Sequence, residues 1–392
     1  MSAHAAVPQA RRPLPPFTPE HEELRESVRR FVANELRPHA MEWEDAEWFP
    51  DEVFAKLAAV GFLGLKYPEE LGGEGGDYLH DAVLSEELSR CGSGGVAAGI
   101  GAHVGIATPP VWKFGTEDQK QRFLAPAIRG ERIAALGITE PGAGSDVAGI
   151  LTKAEPVDGG WIVNGSKTFI TNGVRADFVV TAVKTTGEGG HHGISFLVIE
   201  REFEGFEVSK KLEKMGWRAS DTAELSFADV FVPRENLLGE ENGGFYLIMA
   251  NFQWERLLMA LGAVGSMEAV IDLTIDYARE RNAFGRPISK FQAIRHKVAE
   301  MALKLETARA ITYHALRLFV ETGDAVKEVT MAKLQSQRAA FEVADEALQI
   351  HGGAGYMKEY EIERVARDTR LGPIGGGTDE IMKEILGKQL GL

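Results

Sequence analysis

Apolar residues are spaced differently in three parts of the chain. From Pro19 to about residue 131 they recur every three or four positions, as along one face of a helix. Over residues 132–238, short β-branched and aromatic runs alternate with Gly and Asn pairs, which is typical of strands and tight turns. Helical spacing returns over residues 239–392. We therefore expect a helical domain, a β domain and a long helix bundle, preceded by a disordered tail over residues 1–18.

Short sequence signals predict where several helices begin and where the chain turns between strands. Thr18-Pro19 predicts the start of the first helix, because Thr caps helices and Pro is favoured in their first turn. Thr116-x-x-Gln119 and Ser289-x-x-Gln292 have the pattern of capping boxes, and Thr378 is the expected cap of the last helix. The expected turns of the β region are Asp158-Gly159-Gly160, Asn164-Gly165, Asn172-Gly173 and Gly187–Gly193.

The net charge and the cysteine content limit the binding partners and the cellular compartment that we expect for this protein. The 392 residues carry a formal net charge of −15, which argues against nucleic acid or an anionic membrane as a partner. That net charge does not exclude a soluble anionic ligand. Cys91 is the only cysteine, so intramolecular disulfides are excluded, and we expect a reducing compartment, the cytoplasm. The uncharged run between Arg256 and Glu268 is too short to cross a bilayer, so we expect no integral membrane segment.

The stretch Asn251–Arg256 is the first candidate for chemistry. It lies near the start of a long predicted helix, where Glu255 has mostly apolar neighbours one turn away. Poor solvation raises the pKa of a carboxyl group toward neutrality, where it can accept a proton. Taken alone, however, the stretch fits better a core helix in which Glu255 and Arg256 form local salt bridges.

A glycine-rich loop, Ile138–Asp146, follows the end of a predicted strand. Its backbone N–H groups and two hydroxyls are sufficient to hold a phosphate or a polar ring edge. It lacks the strand–turn–helix context of a dinucleotide fold, so taken alone it is an ordinary tight turn. His191-His192 have no third ligand nearby in the sequence, and we expect a solvated loop there and no metal site.

Six motifs occur along the chain in a fixed order. They are Ile138–Asp146, Phe169–Gly173, Met215–Thr222, Arg281–Gly285, Gln349–Tyr356 and Thr378–Ile381. Together they resemble the acyl-CoA dehydrogenase family over nearly the full length. The resemblance implies an α+β multidomain fold with an N-terminal helical domain (19–131), a middle antiparallel β-barrel-like domain (132–238) and a C-terminal four-helix bundle (239–392). It also implies non-covalent FAD, an acyl-CoA substrate, electron-transfer flavoprotein as the electron acceptor and a homotetramer.

The resemblance also assigns residues to FAD. In the β domain the expected contacts are Ile138, Thr139, Ser145, Phe169, Ile170 and Thr171. Relatives often have Trp at the position of Phe169, and Phe keeps the stacking surface without the indole donor. The pyrophosphate and adenine of a neighbouring subunit's FAD are expected on Arg281, Phe284, Gln292, Gln349, Gly352 and Gly353. Thr378 and Glu380 match further FAD contacts. Taken singly, these residues fit ordinary capping or packing better.

The catalytic base departs from a common family pattern. Many relatives carry a Glu in a Tyr-Glu-Gly-Thr sequence before the last helix, where this chain has Gly375-Gly376-Gly377-Thr378. Relatives similar to the long-chain and isovaleryl-CoA dehydrogenases place the base in a Glu-Arg-Leu sequence, which matches Glu255-Arg256-Leu257. The resemblance therefore implies that Glu255 removes the α-proton and that long or branched acyl groups are accepted. The expected substrate contacts are Ser145, Phe252, Arg256, Gly376 and Gly377.

Two other functions are alternatives. A flavin oxidase or monooxygenase on the same fold would use the same residues, although such oxidases are usually longer chains. A non-catalytic scaffold that binds FAD and CoA is suggested by the missing side chain at Gly376, and Glu255 argues against it.

Overall fold

The computed structural model describes residues 14–186 and 190–392. Most of the predicted tail (1–13) and part of the Gly187–Gly193 turn (187–189) lie outside these residues. Phe17, which the tail prediction includes, is buried, and its ring packs edge-on against Tyr313 with the centroids 5.0 Å apart. The tail prediction is therefore wrong at Phe17, because burial of an aromatic ring holds this residue on the fold.

The N-terminal region is helical. Its helices are α1 Pro19–Phe31, α2 Ala40–Asp45, α3 Glu52–Ala58, α4 Tyr78–Leu88, α5 Gly94–Gly101, α6 Thr108–Phe114, α7 Glu117–Gln119 and α8 Ala125–Ile128. π-helical turns at Val32–Leu36, Ala102–Ala107 and Lys120–Leu124 extend α1, join α5 to α6 and join α7 to α8. Thr116 accepts a hydrogen bond from the Gln119 N–H, which confirms the first predicted capping box.

Within the described residues, the middle region forms one eight-stranded sheet. Its strands are β1 Ala134–Gly137, β2 Lys153–Val157, β3 Gly160–Thr171, β4 Phe178–Lys184, β5 Ile194–Glu200, β6 Phe206–Lys211, β7 Thr222–Pro233 and β8 Leu237–Leu238. Their order is β6-β7-β3-β2-β4-β5-β8, with β1 beside β4. Most neighbours are antiparallel, but β1 and β2 each pair with β4 in parallel.

The predicted turn at Asn164-Gly165 is wrong. Both residues lie inside β3, at a shift in its register against β7. The Asn164 side chain donates to Asp229 and accepts from its N–H, both at 3.0 Å. Gly165 takes a φ of 150° that brings its backbone close to Thr152. An Asn-Gly pair that could end a strand therefore forms a β-bulge instead.

The C-terminal region is a helix bundle. Its elements are α9 Gly244–Glu280, the short pair β9 Asn282–Ala283 and β10 Arg286–Pro287, then α10 Gln292–Thr322, α11 Val326–His351, α12 Glu361–Thr369 and α13 Asp379–Gln389. The capping box predicted at Ser289 is wrong, because a 3-10 turn covers Ile288–Lys290 and α10 begins only at Gln292. The Thr378 cap is confirmed, since its hydroxyl accepts from the Ile381 N–H at 3.3 Å.

Helix α9 is the central element of the molecule. Its first turns pack with N-terminal helices and strands in one apolar core that includes Phe123, Phe178 and Ile248. Further along, it packs against α4, α10 and α11. By length and composition α9 resembles a membrane span, with a mean hydropathy of 1.6 over its most apolar stretch. Half of that stretch is buried inside the protein, so we interpret α9 as a core helix.

Candidate active site

A long cavity runs between α4, α5, α9, α11 and α12. Its walls are mainly small and apolar, and Glu255 and Thr171 both reach it. The small residues include Ala97, Ala98, Gly101, Gly105, Gly262 and Ala263. The structure therefore brings one residue of the predicted flavin site, Thr171, to the same cavity as the predicted base.

Glu255 occupies a half-buried position on α9 with protein atoms packed around its carboxylate. Burial raises its pKa from 4.5 to about 7, although a hydrogen bond from Asn251 and the charge of Arg256 act in the opposite direction. The Asn251 side-chain N–H donates to Glu255 Oε1 at 2.5 Å. A carboxyl group with a pKa near neutrality is suited to accept a proton and release it again.

The glycine loop before α13 lies against the turn of α9 that follows Glu255. Arg256 Nε donates to the Gly376 carbonyl at 3.3 Å, and Lys333 Nζ donates to the Gly377 carbonyl at 2.6 Å. Gly376 has a φ of 63°, and a Cβ added there would lie 2.4 Å from the sulfur of Met259. The space that a side chain at position 376 would need is therefore occupied by Met259.

Arg256, which the resemblance assigns to the substrate, contacts the glycine loop. Its guanidinium holds the Gly376 carbonyl and lies over the Phe252 ring, 5.3 Å from the centroid. Its pKa is lowered by burial, which the charge of Glu255 partly offsets. Arg256 therefore joins α9 to the glycine loop, and the Phe252 ring lies beside its guanidinium.

Two of the predicted flavin residues, Ile138 and Thr139, directly follow β1. Lys167 Nζ donates to the Ile138 carbonyl at 3.0 Å, and the Thr168 N–H donates to the Thr139 carbonyl at 2.9 Å. Lys167 also pairs with the buried carboxylate of Glu140 at 2.7 Å. These bonds fix the loop, while the Thr139 hydroxyl has no hydrogen-bond partner within residues 14–186 and 190–392.

Phe169, Ile170 and Thr171 end β3 with their side chains in different environments. Phe169 has a φ of 59° and is 68% exposed, although it is a large aromatic residue. Backbone strain of this kind is frequent at binding sites. The Ile170 side chain packs in the core of the sheet, so its backbone is the part available to a ligand. Ser145 is exposed on the glycine-rich loop.

The residues predicted to bind a neighbouring subunit's FAD lie at the other end of the bundle. Glu255 and Arg281 are separated along α9 by roughly 39 Å at 1.5 Å per residue. Tyr277 joins this end to α11, because its hydroxyl donates to the His351 carbonyl at 3.1 Å. Phe284 is 95% exposed with a φ of 51°. The other exposed residues of this group are Arg281, Gln292, Gln349, Gly352 and Gly353.

Thr378 and Glu380 form a separate group at the start of α13. Thr378 caps the helix, and hydrogen bonds from its own N–H and from Thr378 lower the pKa of the exposed Glu380 carboxyl. The loop that precedes them is the glycine loop held by Arg256 and Lys333. The predicted cofactor residues thus fall into three groups, of which two lie near Glu255 and one lies far away.

Sequence reasoning missed several residues of the site. Asn251 was noted only as a neighbour of Glu255, although its position four residues earlier on a helix is the signal for a direct contact. Met259 and Lys333 gave no recognisable signal, because their roles depend on how α9 and α11 meet the glycine loop. Cys91 is buried, and burial raises the pKa of its thiol to about 11, which fits the inert role expected for it.

A possible metal-binding cluster was also missed. His21, Asp77 and His80 lie away from the cavity and offer ligand atoms within 4.8 Å of one another. His21 Nδ1 bonds Thr18 and His80 Nδ1 bonds Asp77 in two helix-capping arrangements, while His21 Nε2 is buried without a hydrogen-bond partner in the described part of the chain.

Comparison with known proteins identifies the family. Three family models match the chain: "Acyl-CoA dehydrogenase, N-terminal domain" over residues 18–131, the "middle domain" over 135–230 and the "C-terminal domain" over 242–391. The chain belongs to the acyl-CoA dehydrogenase family. Its members are oxidoreductases that act on CH–CH donors, so the predicted family, fold class and enzyme class are confirmed.

Relatives of different substrate classes are similar to this dehydrogenase. The long-chain specific acyl-CoA dehydrogenase of Mus musculus is 41% identical over 382 residues, covering 95% of this chain and 87% of the mouse protein. The isovaleryl-CoA dehydrogenase of Solanum tuberosum is 38% identical over 376 residues, covering 95% and 91%. A probable acyl-CoA dehydrogenase structure from Mycobacterium abscessus is 48% identical with a TM-score of 0.92, covering 95% and 99%.

Two further structures bear on the cofactor and on the oxidase alternative. An acyl-CoA dehydrogenase from Bacillus anthracis, solved in complex with FAD, is 34% identical with a TM-score of 0.90 and covers 96% of this chain and 67% of its own. The prolyl acyl carrier protein oxidase AnaB is 33% identical with a TM-score of 0.92, covering 96% and 100%. An oxidase of similar length therefore exists, so chain length does not exclude the oxidase alternative.

FAD is the cofactor of the family, and the β-domain residues fit a flavin. The exposed Phe169 ring offers a flat apolar surface, and the partly exposed Thr139 and Thr171 offer hydroxyls. Gly142 and Gly144 leave open space, since a Cβ at either position would meet no atom within 4 Å. An aromatic ring system with polar edges matches these three features.

Proposed function

We propose that this enzyme removes the α- and β-hydrogens of a long-chain or branched acyl-CoA, with Glu255 as the base and electron-transfer flavoprotein as the electron acceptor. One observation carries the proposal. The carboxylate of Glu255 reaches an apolar cavity, while the loop facing that part of α9 has only glycines at 375–377. The assignment of the cofactor residues is part of the same proposal. They are Ile138, Thr139, Ser145, Phe169, Ile170, Thr171, Arg281, Phe284, Gln292, Gln349, Gly352, Gly353, Thr378 and Glu380.

The protein's own residues account for the proton transfer. The α-proton of a thioester is very weakly acidic, so its removal needs a nearby base and donors for the developing enolate oxygen. Glu255 accepts the proton. The N–H groups of Gly376 and Gly377 are candidate donors, because neither is hydrogen-bonded within the described part of the chain. FAD, when bound, accepts the β-hydrogen as hydride.

The lining of the cavity supports a long or branched acyl group. Residues of α4, α5, α9 and α12 surround it, and small residues such as Ala97, Ala98 and Gly101 are among them. A Cβ at Gly101 would meet no atom within 4 Å. The similarity to long-chain and isovaleryl-CoA dehydrogenases points in the same direction.

A panel of acyl-CoAs tests the substrate class. The purified FAD enzyme is mixed without oxygen with saturated straight chains of increasing length and with methyl-branched chains, and flavin bleaching is followed. We expect faster bleaching by long or branched substrates than by short straight ones. Turnover of short straight chains only would contradict this proposal. If no acyl-CoA bleaches the flavin, the non-catalytic scaffold becomes the better account.

The electron acceptor needs a separate test, since the oxidase AnaB shares this fold. Enzyme reduced by acyl-CoA is mixed either with air-saturated buffer or with electron-transfer flavoprotein. We expect fast reoxidation by the flavoprotein and slow reoxidation by oxygen. Rapid turnover with oxygen alone would favour the oxidase.

We further propose a homotetramer in the cytoplasm. The separation between Glu255 and the group around Arg281 supports shared FAD sites, because residues so far apart on one helix serve one cofactor more readily across subunits. Light scattering measures the assembly. A monomer that retains FAD would contradict the shared site.

A further inference from the structure

The wall of the cavity that faces Glu255 contains a π-helical segment, Ala102–Ala107, between α5 and α6. A π-helical turn shifts the backbone bonding pattern and often occurs at functional sites. Side chains bind several carbonyls here: Lys66 Nζ donates to Val104 at 3.0 Å, and Asn251 donates to Ile106 at 3.1 Å. Asn251 therefore connects α9 to this segment.

The Asn251 amide group makes a second bond. The same nitrogen that donates to Ile106 also donates to Glu255 Oε1 at 2.5 Å. Both partners are acceptors, so the amide must present its NH₂ group and not its oxygen to them. Asn251 is 8% exposed, which leaves little freedom to rotate. Its two hydrogens link the Ile106 carbonyl and the Glu255 carboxylate.

We propose that Asn251 is a positioning residue, which holds the Glu255 carboxylate at a fixed place relative to the acyl cavity by tying it to the Ile106 carbonyl. The proposal rests on the assignment of Glu255 as the base. Arg256 does not perform this function, because its Nε is directed to the Gly376 carbonyl. Among the hydrogen bonds of the described residues, the one from Asn251 is the side-chain bond that reaches the Glu255 carboxylate.

The bond also affects the pH dependence of the reaction. A donor to a carboxylate favours its charged form, so loss of Asn251 makes Glu255 harder to ionise. Other charged groups share the cavity walls: Arg256 on α9, Asp81 with its partner Lys66 beside α4, and Glu361 and Asp368 on α12. These groups are unchanged in Asn251→Leu, which adds no titratable group, so its difference from the wild type reports on Glu255.

The test uses the FAD enzyme with two near-isosteric variants, Asn251→Asp and Asn251→Leu. The control is Thr274→Val, which removes another buried hydrogen bond on α9, from Thr274 to the Val270 carbonyl at 2.7 Å. The rate of flavin bleaching by one saturated acyl-CoA is measured from pH 6 to 10, together with FAD content and thermal stability.

At pH 7 we expect both Asn251 variants to bleach about tenfold to a hundredfold more slowly than the wild type, a range typical of losing a hydrogen bond to a charged group. The midpoint of the acid limb should rise, most in Asn251→Asp, where two carboxyl groups share a proton. Above the new midpoint the rate should stay below that of the wild type, since the carboxylate is ionised but no longer held. Thr274→Val should match the wild type.

Two results would overturn the proposal. Wild-type rates and midpoints in both variants would show that the bond has no role. Full recovery at high pH would show that Asn251 changes only the charge of Glu255 and does not position it. Failure of the base assignment gives a different result, because Glu255→Gln would then bleach like the wild type whatever residue stands at 251. If the variants lose FAD or stability, Asn251→Gln, which keeps the donor on a longer side chain, repeats the comparison.

Discussion

Helix α9 and the glycine loop form two walls of one site, and they contribute different groups. The helix contributes a carboxylate at Glu255, whose pKa burial raises to about 7. The loop contributes backbone, with Gly376 and Gly377 in conformations that L side chains rarely adopt. Met259, one turn after Glu255 on α9, fills the place that a side chain at Gly376 would take. The position of the base is thus determined by packing as well as by chemistry.

The largest expected effect comes from Glu255→Gln, which keeps the shape of the helix wall and removes the base. Flavin bleaching by acyl-CoA should slow by about 10²- to 10⁴-fold, the usual contribution of a general base. Anaerobic stopped-flow absorbance measures this rate, and unchanged FAD content serves as the control. A rate close to that of the wild type would show that the helix wall does not supply the base.

Glu255→Gln also tests how well the protein shields the Glu255 carboxylate from water. The folded protein binds the Glu255 proton more tightly than the unfolded chain does, with a pKa of about 7 against 4.5. Wild-type stability should therefore fall as the pH rises from 4.5 through 7, by up to about 3 kcal/mol. Urea unfolding should show Glu255→Gln more stable than the wild type at pH 8 and equal to it at pH 4. Equal stability at both pH values would mean that the carboxylate is well solvated.

Gly376→Glu tests the loop wall. The new side chain must form at a φ of 63° and displace the Met259 sulfur, so we expect a loss of about 1–3 kcal/mol in the free energy of unfolding. We also expect that it does not restore activity to Glu255→Gln. The matched control is Gly375→Ala, where an added Cβ has its nearest neighbour at 3.6 Å. Equal stability of the two loop variants would contradict the steric argument.

The smallest expected effect concerns Phe169, the exposed ring that we assign to the FAD site. Phe169→Ala removes the exposed ring and should weaken FAD binding by about 0.5–1.5 kcal/mol, the usual contribution of an aromatic pair. FAD affinity is measured by fluorescence titration of the apoprotein. Phe231→Ala removes another partly exposed ring, on β7, and should leave the affinity unchanged. Equal effects of both changes would argue against a flavin at Phe169.

Periodicity and capping signals were sufficient to predict most of the helices, because their apolar faces and N-caps depend on neighbours in the sequence. The Thr116 and Thr378 caps are of this kind. Asn164-Gly165 and Ser289 were mispredicted, since the pairing with β7 and a 3-10 turn override the local signals. Phe17 was assigned to a tail because its partner, Tyr313, lies far along the chain.

For the candidate site, as for the fold, local signals and motifs predicted some residues, and contacts between distant elements were missed. Glu255 was predicted from its neighbours and from a motif, and the groups around Phe169 and Arg281 were predicted from motifs. The contacts of Asn251, Met259 and Lys333 were not found, because each depends on an element distant in sequence meeting α9 or the glycine loop. Arg256 was expected at the substrate, and its bond to the Gly376 carbonyl was not predicted.

A crystal structure of the FAD enzyme with a bound acyl-CoA analogue would show where Glu255 lies relative to the reacting carbon. We predict that a carboxylate oxygen of Glu255 lies within about 3 Å of the second carbon of the acyl group, the reach required of a general base. In the same structure Gly376 and Gly377 should approach the thioester oxygen through their N–H groups. If the Glu255 carboxylate points away from the second carbon and another basic group lies nearer to that carbon, Glu255 is not the base.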